Sequence, residues 1–193
     1  MAIDPDEQAQ KFAQAVGFTL HNWSMVEIQL GRLFALLSDM PDSRKARALV
    51  DAVVSFEVRL ALVNVMIASE NCDDADKGIW KKVSERIRQA YKKRHSIAHF
   101  SMMGHTRKDG SEEIKFHPFL TSHKVEQRTQ KSLPIEHIHD FSAKIKDEII
   151  PSLDWFCDEA RQRRGLPRER SPQVPPPIAH LRDLASRTPP GPS

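Results

Sequence analysis

Little cysteine, no long apolar run and no glycine-rich phosphate loop occur in this chain of 193 residues, and each absence removes a class of protein. Cys72 and Cys157 are its two thiols. They lie far apart and outside any metal-ligand spacing, which argues against a disulfide framework and fits a reducing compartment. No stretch of about 18 apolar residues is present, so no membrane-spanning helix is expected. The opening MAIDPDEQAQKF is acidic and polar, unlike the basic and apolar regions of a secretory leader. A Gly-x-Ser-x-Gly elbow is missing and Cys157 falls in an apolar helical stretch, so serine and cysteine nucleophile chemistry has no motif here. The expectation is a cytoplasmic protein without a membrane segment and without a cofactor.

What is present reads as one folded body and a tail. Hydrophobic residues make up 39% and charged residues 28%, enough of the first for a core and of the second for solubility. The net charge of +3 is unevenly spread. From Arg161 onward there are seven arginines against two acids, whereas residues 1–160 hold 22 basic and 24 acidic groups. The basic isoelectric point therefore belongs to the tail and says nothing about a nucleic-acid surface on the body. Local clustering is more telling. Lys81, Lys82, Arg86, Arg88, Lys92, Lys93 and Arg94 are opposed within that run by Glu85 alone, forming either a binding face or an ordinary solvated helix face.

Helical signals dominate the body. Asp4-Pro5-Asp6-Glu7 combines a capping acid, proline at the first position and a carboxylate in the first turn. Apolar residues then recur at Phe12, Val16, Trp23, Val26, Leu30, Leu33 and Leu37 with helical spacing, and Gly17 marks a point of bending or interruption. After the turn at Pro41, a second helix is predicted to carry Ala46, Val50, Val53, Phe56, Leu60, Val63 and Ile67 unbroken to about residue 69. A third starts near Ala75 and stripes Trp80, Val83, Ile87 and Tyr91. Short apolar runs at 100–103 and 114–120 flank Asp109-Gly110, a hairpin turn signal. Leu133-Pro134-Ile135-Glu136 opens a last helix that Pro151 kinks. The expected fold is mainly α: a bundle of four to five helices with a short β-hairpin or extended loop before the last one, spanning residues 1–163. Residues 164–193 form a Pro/Arg-rich tail that buries too little apolar surface to order itself.

Two charges interrupt the apolar stripes, and burying a charge is costly unless it is paired. Arg94 falls three residues after Tyr91 and seven after Ile87. Glu27 falls four after Trp23 and three before Leu30. A buried guanidinium and carboxylate tolerate such places best when they meet, so Glu27 is expected to approach Arg94, whether as part of a site or as a structural tie. One turn past the arginine the chain reads Arg94-His95-Ser96-Ile97-Ala98-His99. Arginine offers a fixed planar cation suited to phosphate, and histidine gives and takes protons near neutrality. Together they are the minimum for cleaving RNA without a metal: one group moves protons and one stabilises charge on phosphorus.

This arginine, followed by a polar residue and by a histidine five positions on, resembles the hallmark of the HEPN superfamily, as does its place after the amphipathic helices and before the hairpin. Trp23-x-x-Val26-Glu27 is similar to the first helix of such proteins, and the resemblance covers about residues 15–160. His95 stands where the family commonly has asparagine. The resemblance implies a homodimeric helical bundle with two motifs facing across a two-fold axis, and a metal-independent endoribonuclease of toxin–antitoxin, phage-defence or RNA-processing type. The partners it implies are RNA and an antitoxin or regulatory protein. Arg94 and His99 would be catalytic, with Glu27, His95 and Ser96 supporting the site or touching substrate. Other members of the family are inactive binding or assembly modules, which is the second reading. A zinc site on His95 and His99 is a third, weakened because the pair lacks the glutamate of a zinc-protease helix. His137 and His139 are two apart and diverge on a helix.

Overall fold

The computed structural model describes residues 5–106, 108, 110, 112–118 and 133–167; the segment 168–193 of the expected tail lies outside them. Its elements are α1 (Pro5–Leu37), α2 (Ser43–Ala52), α3 (Phe56–Ser69), α4 (Asp74–Ala98), β1 (Phe100–Thr106), β2 (Glu112–Pro118), α5 (Ile135–Lys144) and α6 (Ile150–Arg163). A π-helical turn, Ile145–Ile149, joins α5 to α6, so these three form one continuous helix. The protein is a mainly helical bundle, as expected. Among the described residues the strands are an antiparallel pair, with Phe100 opposite Pro118 and Thr106 opposite Glu112. Gly110 in the intervening turn has φ of 80°, a left-handed conformation that glycine adopts without a Cβ clash.

Two expectations about the helices change. α1 runs through Gly17 without a break. A glycine in a helix interior costs about 1 kcal/mol, less than the burial of Ala15 and Trp23 around it contributes. The second helix, expected unbroken, is two. Val53 and Ser55 have ψ of 111° and 120°, and the Ser55 hydroxyl accepts the Val58 N–H at 3.4 Å, capping α3. Arg59 then reaches back to donate to the Val53 and Asp51 carbonyls at 2.5 and 3.3 Å, satisfying groups that the end of α2 leaves without partners. The apolar phase runs on unchanged from Val50 to Phe56 and Leu60, so periodicity carried no sign of this break. Pro151 follows the π-helical turn, in the first turn of α6. Having no N–H, it removes one ladder bond where the winding already departs from α.

The contacts divide the chain into two compact units. The first comprises residues 1–23 and 90–145: the start of α1, the end of α4, the hairpin and α5. Its core holds Phe12, Trp23, Ile97, Ile138, Phe141 and Ile145, and Asn22 donates to the Ser142 hydroxyl at 2.9 Å. The second comprises residues 24–89 and 146–193. It buries Leu30 and Leu33 of α1, Val50 of α2, Leu60 and Val63 of α3, Ile79 and Val83 of α4, and Leu153 and Phe156 of α6. Trp80 meets Phe156 edge-to-face at 5.0 Å. Among the described residues no helix is long and apolar enough to cross a membrane.

Candidate functional site: the end of α4

The buried stripe of α4 passes through Ile87, Ala90 and Ile97. Arg94 lies on it, four residues after Ala90 and three before Ile97, and this spacing carries the guanidinium inward. The residue is half-buried, and among the described residues its buried Nε has no hydrogen-bond partner. An orphaned donor of this kind costs about 1–3 kcal/mol, a cost that an oxyanion brought to the guanidinium would offset.

His95 and His99 follow Arg94 in the chain, both exposed, with ring centroids 4.3 Å apart and planes tilted by 58°. The spacing of 91, 95 and 99 stacks one ring per turn: Tyr91 lies 6.3 Å from His95 and 6.0 Å from Trp23, which is 1% exposed. An aromatic column thus leads from the core of the first unit to two imidazoles at the surface. His99 is the residue between α4 and β1. Its N–H donates to the His95 and Ser96 carbonyls, both at 3.2 Å, so the last turn of α4 holds its backbone. The Ser96 hydroxyl donates to the Lys92 carbonyl at 3.2 Å, which leaves its lone pairs for any other contact.

The neighbouring cations are differently engaged. Lys93 sits 5.1 Å over the Phe141 ring. Arg88 meets Glu85 at 2.8 Å and Glu57 at 3.5 Å, and Arg86 meets Glu148 at 3.6 Å. Acids distant in sequence therefore offset part of the basic run. Glu27, expected to approach Arg94, belongs to the second unit, where its carboxylate lies 3.8 Å from Arg59. Among the described residues no group of three or more His, Cys, Asp or Glu side chains is placed to hold a metal ion.

Sequence reasoning passed over Asn64. Its Oδ1 accepts from Trp80 Nε1 at 2.8 Å and from the Ser84 hydroxyl at 2.9 Å. The signal was the one that exposed Arg94, a polar residue inside an apolar helix. Compared with protein-family models, with curated proteins and with solved structures, the chain matches none.

Proposed function

We propose that this chain is a cytoplasmic, metal-independent endoribonuclease of HEPN type that works as a homodimer with a composite Arg/His site. The observation that carries the reading is that one helix end holds both the Arg94 guanidinium, whose buried Nε has no partner among the described residues, and two exposed imidazoles in contact with each other. Arg94 holds the scissile phosphate and stabilises the charge that builds on phosphorus. An unprotonated His99 takes the proton of the ribose 2′-hydroxyl as its oxygen attacks phosphorus. A protonated imidazole, His99 of the second copy, gives a proton to the departing 5′-oxygen. The products are a 2′,3′-cyclic phosphate and a 5′-hydroxyl, with no metal in the balance. The His95 ring packs against His99 and sets its orientation, and Ser96 contacts substrate through its lone pairs. A toxin, phage-defence or RNA-processing role, with an antitoxin or regulatory protein as partner, follows from the same resemblance.

The test uses a labelled single-stranded RNA incubated with the full chain in excess chelator. Cleavage to cyclic-phosphate ends is expected, with a loss of roughly 10²–10⁴-fold in His99→Ala while the circular dichroism spectrum and the mass by light scattering stay unchanged. No cleavage by the parent chain, or equal cleavage by the variant, would refute the nuclease and leave an inactive binding or assembly module.

A further inference from the structure

Outside the histidine site, the second unit carries an anomaly of its own. A helix that is apolar on every side is normally surrounded by protein. α3, FEVRLALVNVMIAS, comes near this, being apolar apart from Glu57, Arg59, Asn64 and Ser69, and it buries Phe56, Leu60, Val63 and Ile67. The opposite face, Val58, Ala61, Leu62 and Val65, is exposed. Val65 is 64% exposed and Val54, just before the helix, 95%. Single exposed apolar residues need no explanation, but a row along one helix face does.

Beside that row α4 runs antiparallel to α3, since Glu57 meets Arg88 while Asn64 meets Trp80 and Ser84. Between the two helices lies an open groove of about 500 Å³. Ile67, Ala68 and Trp80 give it an apolar lining, and the α4 side contributes Lys77, Lys81 and Arg88. Those positions follow the helical repeat and form a cationic row. Glu85 also lines the groove and is bonded to Arg88 at 2.8 Å, which leaves the lysines without an acid of the groove at their side. With its oxygen occupied twice, Asn64 offers its amide NH₂ to the groove it lines.

We propose that this groove docks an amphipathic α-helix of a partner protein, its apolar stripe laid on α3 and a row of Asp or Glu facing Lys77 and Lys81. The 14 residues of α3 make a track of roughly 21 Å, about four helical turns, the scale of helix-in-groove recognition by anchors at i, i+3, i+4 and i+7. Charge excludes the two nearest alternatives. The chain's own segment 168–193 has four arginines against two acids, so it repels the row. A second copy placed on the same groove by a two-fold axis sets lysine row against lysine row. The inference stands whether or not the chain cleaves RNA.

The experiment pans the full chain against a displayed library of helix-biased peptides of about 15 residues, close to the shortest length at which isolated helices persist. Enrichment of peptides with an apolar stripe flanked by Asp or Glu is expected. Their affinity should fall about tenfold or more in a Lys77→Glu/Lys81→Glu double variant and in Val65→Glu, and should weaken as salt screens the pair of rows. These side chains lie on the surface or the groove rim, so thermal unfolding should match the parent. Peptides without acidic enrichment, or peptides bound equally by the charge-reversed chain, would overturn the proposal. So would a parent dimer that Val65→Glu dissociates, which names a second copy as occupant. Tighter peptide binding by a chain ending at residue 167 would name its own tail, and loss of RNA-oligonucleotide binding in the double variant with peptide binding intact would make the row a nucleic-acid contact.

Discussion

Arg164 shows how much one side chain does that its position in sequence conceals. Placed by composition at the head of a tail, it bonds Glu70 at 2.6 Å and Asp39 at 2.9 Å. Burial works against its charge, but the hydrogen bonds and proximity of Glu70 and Asp39 carry its pKa above the ordinary value. With side chains 21% and 14% exposed, Arg164 and Glu70 are screened less than a surface pair. Arg164→Ala should cost about 2 kcal/mol, read as a lower urea midpoint at unchanged slope. Because the folded-state pKa is raised, the charge's contribution is complete below the unfolded value and declines only above it. The loss should therefore be the same across neutral pH. Cys72 follows the same sign. Burial pushes its thiol pKa up, with Arg163 and Lys77 pulling the other way. The contribution of its protonated form is full below the unfolded thiol value and falls as pH rises through the folded one. Alkylation of native Cys72 should consequently titrate at higher pH than the same thiol in urea. An identical midpoint in both states would contradict its desolvation.

Among the elements, the break between α2 and α3 was illegible for a definite reason. Hydrophobic phase continues across Val50, Val53, Phe56 and Leu60, and the break depends on what Ser55 and Arg59 bond to, which periodicity does not encode. Ser55→Ala removes a cap and should cost about 1 kcal/mol. Arg59→Ala should cost more, about 2 kcal/mol, because it strips the Val53 carbonyl and removes the ion pair with Glu27 together. Equal urea midpoints for the two variants would show that the carbonyl and the carboxylate do not depend on Arg59. α4, by contrast, was well read. Its amphipathic stripe and the inward place of Arg94 both follow from a 3.6-residue repeat. The contact between the His95 and His99 rings follows from their i, i+4 spacing.

For the molecule as a whole, the proposed composite site has a consequence that no single-chain property shares. The proposed site takes its two imidazoles from His99 of both copies, so a dimer of one parent chain and one His99→Ala chain lacks one of them. After random exchange of equal amounts, about a quarter of the dimers keep both, and activity should fall to about a quarter of that of the same total amount of parent chain. Activity that stays at about a half would place the whole site in one chain. What the sequence determined by itself is whatever depends on local repeat and composition: the helical class, the antiparallel pair of β1 and β2, and the place of Arg94 in the last turns of α4. Only the tertiary structure decided which distant acids meet which arginines and which apolar face stays in water. It linked Glu148 to Arg86, Glu57 to Arg88 and Arg59 to Glu27, and left Val58 and Val65 of α3 uncovered. The physical reason is that a helical repeat sets the direction of each side chain about its own axis, while its partner is set by which neighbouring helix lies there.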